Sequence, residues 1–167
     1  GVVSPVGNSI GAFWEALVAG RSGIGPTTRF DPKDHRTKIS GQAPECVPQG
    51  FTPKDMHRMD RNAVFATEAA DQAWKQSGLD GSKINRDRAG VVIGSGIGGI
   101  ETIQDEVIRM QEGGPRRVSP LMVPKGLTNM ASGSVAIRLG LRGPNKAVVS
   151  ACSTANHCIG EAINLIR

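Results

Sequence analysis

A chain of 167 residues, 38% hydrophobic and 21% charged, is long enough for one domain with its own core. Its formal charge is +5, but aromatic residues make up only 4% and tyrosine is absent, so the stacking platform of a nucleic-acid binder is missing. No apolar run nears the roughly 20 residues that cross a bilayer, and Gly1-Val-Val-Ser-Pro5 has no basic stretch leading into an apolar segment, which argues against a secretory signal.

Asn8 or Ser9 can cap a helix whose apolar face is Ile10, Phe13, Trp14, Leu17 and Val18, ending at Gly20. That face is expected in the core. Residues 21–53, rich in Gly, Pro and Thr, read as a long structured loop with a short strand at Thr37–Gln42. A helix starting at Pro53 is expected to run to about Ser77 and stop at Gly78. Its inward residues are Ala63, Val64, Ala66, Ala70, Ala73 and Trp74, with Lys54, His57 and Arg58 on a solvated basic stretch. A turn follows at 79–82.

Ala89–Ile93 reads as a buried strand, followed at once by Gly94-Ser-Gly-Ile-Gly-Gly99 and a helix from Ile100 to about Gln111. Strand, G-x-G-x-x-G and helix in that order match the dinucleotide fingerprint. That motif continues into a second strand with an acidic residue roughly 20 residues on. Here Ser119-Pro-Leu-Met-Val-Pro124 takes that place, and two prolines do not suit a central strand. The glycines are expected instead to let backbone pass close to another element. No nucleotide cofactor is expected.

Residues 113–124 read as irregular, with the apolar run Leu121-Met-Val123 expected to be buried. Gly126–Leu139 reads as a helix, and Gly140–Asn145 turns the chain into a strand at Lys146–Ala151. After Cys152, the residues Ala155, Ile159, Ala162, Ile163 and Ile166 form a helical stripe. The order of elements is that of an α/β layered domain. There is no initiator methionine, and the last helix reaches Arg167 with no Gly or Pro stop, so residues 1–167 are expected to be cut from a longer chain at both ends.

Cys152 therefore stands where a strand ends and a helix begins. A thiol there faces the positive end of a helix dipole, a position that suits a reactive group. A packed core thiol is an equally available reading from the residues alone. The G-x-S-x-G elbow motif is absent. Cys152, His157 and Cys158 do not have structural zinc spacings, and no fourth ligand is apparent, so no metal is expected. His157 lies five residues along, about 500° or 140° off the Cys152 face. It is expected to be packed or hydrogen-bonded elsewhere. Cys46 has no assigned role. Three cysteines build no disulfide framework, and a cytoplasmic setting is expected.

Ser150-Ala-Cys152-Ser-Thr-Ala-Asn-His-Cys-Ile-Gly160 resembles the active-site cysteine segment of β-ketoacyl-acyl carrier protein synthases. Other stretches agree in order: Ser4–Asn8, Met59-Asp60, Gly94–Gly99, Gly113–Pro120 with Val123-Pro124, and Gly143-Pro-Asn145. The Gly94–Gly99 segment together with the Ser-Pro/Val-Pro segment is similar to the KAS II type. The resemblance covers essentially the whole chain. It implies the thiolase fold, two similar halves of α-β-α-β-α layers, usually as a homodimer. Residues 1–167 would be the N-terminal half.

By that resemblance, Cys152 would accept an acyl chain from acyl carrier protein. Ile97 and Met122 would line the acyl pocket. Lys54, His57, Arg58, Arg116 and Arg117 would meet the acidic carrier protein, with His57 standing where relatives often carry a more basic residue. The implied reaction is elongation by two carbons through decarboxylative condensation with malonyl-carrier protein, in type II fatty-acid synthesis, with no cofactor. The family's two catalytic histidines, its lysine and a Gly-rich oxyanion loop match nothing here, so the chain alone is not expected to carry out condensation. A polyketide ketosynthase is the near alternative. A chain-length-factor-like partner usually lacks the nucleophile, and the retained Cys152 argues against that reading.

Overall fold

The computed structural model describes residues 1–79 and 84–167. The turn expected at 79–82 falls largely outside them. Helix α1 (Ile10–Val18) starts at Ser9, whose hydroxyl accepts the Ala12 N–H at 3.2 Å. The long connection after it carries an antiparallel pair, β1 (Ile24–Pro26) and β2 (Ile39–Gly41), with Ile24 opposite Gly41. Strand β2 lies inside the expected Thr37–Gln42. Strand β1, Ile-Gly-Pro, has no alternation to betray it.

The core is built from α3 (Arg61–Ser77), α6 (Met130–Leu139) and β3 (Val91–Val92). Val91, Val135 and Ala136 are buried there, with Ala66, Ala70, Ile93, Leu139 and Leu141 packed around them. The helices meet through small side chains, and Thr67 and Ser132 are fully enclosed. Thr67 satisfies its hydroxyl by donating to the Ala63 carbonyl at 2.8 Å. Strand β3 pairs in parallel with β4 (Asn145–Lys146), Val91 opposite Asn145. A parallel pair needs a crossover. Here it is supplied by α4 (Ile100–Gly113), α5 (Met122–Gly126) and α6. Helix α7 (Thr154–Ile166) closes the chain.

Several elements differ from the sequence expectation. The helix expected over 53–77 is two helices, α2 (Pro53–His57) and α3. Thr52 and Asp55 form a capping box that opens α2, and Asp60 is extended (φ −82°, ψ 159°) and caps α3. Donation from the Thr52 hydroxyl and backbone holds the Asp55 carboxyl below its ordinary value. The box is therefore intact at neutral pH and is lost as pH falls through that lowered value. Ala73 is exposed rather than inward. The helix expected over 126–139 breaks at Leu127, which is extended (ψ 139°), leaving α5 and α6. Leu121 and Met122 are half-buried, but Val123 is 63% exposed.

The apolar faces of α1 and α7 are not core in this chain. Trp14 is 64% exposed, and Ile10, Leu17 and Val18 are also exposed, while Ala16 is the buried residue of α1. In α7 the buried residues are Thr154 and Cys158, and Ile159, Ile163 and Ile166 lie outside. Periodicity identifies an apolar face, not the element that covers it. The strand expected over 146–151 is paired only at Asn145–Lys146, extended by the Ile93 N–H to the Lys146 carbonyl at 3.2 Å. Further on, the Val148 carbonyl turns toward Gly94 and the Cys158 thiol.

Asp60 joins two helix starts. It is 6% exposed, and one oxygen accepts the Asn62 N–H at 3.1 Å at the start of α3. The other accepts the Thr102 N–H at 3.1 Å and its hydroxyl at 2.6 Å at the start of α4. Both helix dipoles favour a carboxylate there. The 21–53 connection is tied down by Arg29, which bridges Glu45 (2.6 Å) and Glu101 (2.9 Å). Arg138 also holds it, donating to the Gln49 carbonyl at 2.6 Å while lying 5.1 Å over the Phe51 ring.

Candidate active site

From β4 the chain runs through residues 147–150 into a single 3-10 turn, Ala151–Ser153, and then into α7. Cys152 is exposed in the middle of that turn. Ala151, immediately before it, has φ 50°, and among the described residues it is the one non-glycine with positive φ. A left-handed alanine costs of order 1–3 kcal/mol and persists only when its surroundings hold it. The holding groups come from Ser150. Its N–H donates to Thr154 Oγ1 at 3.0 Å, its carbonyl accepts the Ser153 N–H at 3.1 Å, and its Oγ lies 2.6 Å from His157 Nδ1. His157 is thus hydrogen-bonded to Ser150, and it is exposed rather than packed.

The glycine segment lies directly against this turn. A Cβ on Gly94 would stand 2.0 Å from the Val148 carbonyl oxygen, 2.4 Å from Thr154 Cγ2 and 3.1 Å from Cys158 Sγ. A Cβ on Gly96 would stand 4.0 Å from Ala151 Cα. Further along, Gly98 (φ 81°) meets the Gly126 carbonyl and Gly99 meets Lys125 O and Asp60. Protein backbone fills the space beside Gly94, Gly98 and Gly99, where a pyrophosphate would need room. These glycines set the close approach of β3 and α4 to the cysteine turn and to α5.

The three cysteines differ in access. Cys152 is exposed, Cys158 is buried with its Sγ 3.9 Å from the Val148 carbonyl, and Cys46 is intermediate. Burial, with Glu68 and Glu45 nearby, pushes the Cys46 thiol up from its ordinary value. A raised value leaves less thiolate at neutral pH and slower alkylation. Iodoacetamide at neutral pH should therefore modify Cys152 first, Cys46 slowly and Cys158 only on unfolding. Peptide mapping over time checks the order, and early modification of Cys158 would contradict it.

The other candidate residues are distributed as follows. Ile97 follows Gly96 and is 61% exposed, so it is not core packing; Met122 opens α5 half-buried. Lys54, His57 and Arg58 are exposed at α2, and Arg116 and Arg117 are exposed in a 3-10 turn, Pro115–Arg117, after α4. His57 lines a cavity of about 120 Å³ together with Arg109, Ser119 and Lys125. Arg117 lines an adjoining cavity that shares Arg109. Arg58 faces a separate cavity beside Met59 and Ile137.

Arg109 and Lys125 line this region beside Asp105, Glu106 and Glu112, and motif reading did not single them out. Nor did it find Glu106, which is buried on α4 and accepts the Ser119 N–H at 2.8 Å and Arg109 Nη1 at 2.7 Å. Glu106 fixes the segment that follows Arg116 and Arg117. Among the described residues no cluster of His, Cys, Asp and Glu could hold a metal.

The family model described as beta-ketoacyl synthase, N-terminal domain, matches residues 1–167, and the chain belongs to that family. A Coxiella burnetii protein named 3-oxoacyl-[acyl-carrier-protein] synthase 2 is 43% identical across 99% of this chain and 40% of its own length. The Synechocystis protein of the same name is 40% identical across 100% of this chain and 40% of its own length. The chain thus spans about two fifths of the length of these curated relatives.

Among solved structures, the ishigamide ketosynthase/chain length factor superposes with a TM-score of 0.85 at 24% identity, over 99% of this chain and 42% of that one. A beta-ketoacyl synthase from Burkholderia phymatum gives 0.80 at 23% identity, over 98% of this chain and 41% of that one. The fold is therefore the thiolase-like α/β fold of ketosynthases, in its N-terminal portion.

Proposed function

We propose that this chain carries the acyl-accepting cysteine of a condensing enzyme that lengthens acyl chains held on acyl carrier protein by two carbons. The observation that carries the proposal is Cys152, exposed on a held turn at the start of α7. The sulfur attacks the thioester carbonyl of the acyl-carrier protein, and the carrier's thiol leaves, so the acyl group passes to Cys152 as a new thioester. The Cys152 backbone N–H supplies one donor to the oxyanion of the tetrahedral intermediate. Malonyl-carrier protein then loses CO2, and its carbanion attacks the Cys152 thioester to release the β-ketoacyl product. The groups that promote the decarboxylation are not among these residues.

Lys54, His57, Arg58, Arg116 and Arg117 receive the acidic carrier protein, and Ile97 and Met122 border the acyl chain. The name shared by the curated relatives supports the fatty-acid assignment over a polyketide one. A cytoplasmic homodimer fits the same reading. Among the described residues no helix is long and apolar enough to cross a membrane.

The test is to mix the complete protein with acyl-carrier protein, omit the malonyl donor, and map the adduct by mass. The acyl group is expected on the Cys152 peptide as a hydroxylamine-labile thioester. No adduct, or one on Cys46 or Cys158, would sink the proposal.

A further inference from the structure

We propose that His157 is a positioning residue for the Cys152 turn, acting through Ser150 and not on the sulfur. The inference rests on the reading of Cys152 as the acyl-accepting nucleophile. Ala151 is held at φ 50°, and Ser150 is the last residue before it. All three polar groups of Ser150 bond forward across Ala151 and Cys152. The N–H reaches Thr154 Oγ1, a side chain that is itself buried against Gly94. The carbonyl takes the Ser153 N–H and closes the 3-10 turn. The hydroxyl reaches His157 Nδ1 at 2.6 Å, one turn into α7.

Of the three bonds, the last alone joins two side chains, and it ties the residue before the strained alanine to the body of the helix. The hydroxyl can donate to a bare ring nitrogen or accept from a protonated one, so the bond forms with either tautomer. With Nδ1 engaged by Ser150, the imidazole's role is to keep the turn from relaxing. Relaxation would displace the sulfur, and displacement of a reacting group by about 1 Å is worth as much as a hundredfold in rate.

The experiment uses the complete protein with His157→Ala, Ser150→Ala, the double variant and His157→Asn. Two rates are read at Cys152: thioester formation from acyl-carrier protein, and alkylation by iodoacetamide, which needs no acyl substrate. Each alanine variant is expected to slow both rates by about tenfold, the factor one hydrogen bond controls. The double variant should be no slower than either single one. His157→Asn should recover most of the loss, because its carboxamide can occupy the place of Nδ1. All four should melt close to the parent.

Wild-type rates in both single variants, losses that multiply in the double variant, or His157→Asn as slow as His157→Ala would each overturn the proposal. A parent protein that is alkylated at Cys152 but never acylated would defeat the nucleophile reading instead, and the alkylation rates would still decide the role of His157.

Discussion

Gly94→Ala is expected to leave the chain largely unfolded, whereas Gly96→Ala, two residues on in the same motif, should fold with a nearly unchanged melting temperature. The difference is local. At Gly94 the new methyl would stand 2.0 Å from a backbone carbonyl oxygen and 2.4 Å from the buried Thr154. Neither neighbour is the free end of a flexible side chain. Relief requires β3 and the 147–150 segment to part, and these two carry the Val91 core and the entry to the cysteine turn.

Overpacking a core by a methylene generally costs about 1–3 kcal/mol, and more when backbone must move. Here a backbone oxygen at 2.0 Å and a buried side chain at 2.4 Å must both give way, so the loss exceeds that range and consumes most of a total stability of about 5–15 kcal/mol. At Gly96 the closest atom would be 4.0 Å away, an ordinary contact. Soluble yield and thermal melting of the two variants check this, and equal tolerance at both positions would refute the packing role.

Asp60→Ala should be the most costly single side-chain truncation near α4. It removes three hydrogen bonds to one buried carboxylate, one of which is the cap of α3. A lost cap costs about 1 kcal/mol and hydrogen bonds to a charged group about 1.5–3 kcal/mol, so a net loss near 3 kcal/mol is expected. Asp60→Asn keeps the shape but turns an amide NH2 toward one of the donor sets, and should fall between the two. Urea midpoints of the three proteins provide the measurement, and a midpoint for Asp60→Ala within error of the parent would refute the shared-cap account.

The cysteine's place at a junction was legible because the apolar run Ala147-Val-Val ends where a new stripe begins. The role of the glycines as spacers was legible because two prolines broke the dinucleotide pattern. The break at Asp60 was not legible, since apolar spacing continues through Met56 and Met59 and an extended residue leaves no mark on that period. The exposed faces of α1 and α7 show the reverse problem. Their stripes are real, but a stripe carries no information about its partner. Contacts such as Ser150 with His157, or Glu106 with Ser119, cross non-helical turns and follow no repeat. Only the resemblance of ordered segments linked Cys152 to an acyl group; spacing alone left it a thiol at a junction.

The pairing of β3 with β4 has a consequence during synthesis. Asn145 leaves the ribosome about 50 residues after Val91. At about 5–20 residues per second, that interval is roughly 3–10 s. Until α6 emerges late in that interval the β-branched run Val91-Val-Ile93 is uncovered, and throughout it the run has no strand to receive its N–H groups. An uncovered strand edge of this kind readily pairs with the wrong chain. The nascent protein is therefore most exposed to misassembly before its cysteine turn has been made, and a chaperone acting in that window would be expected to raise its yield more than one acting after release.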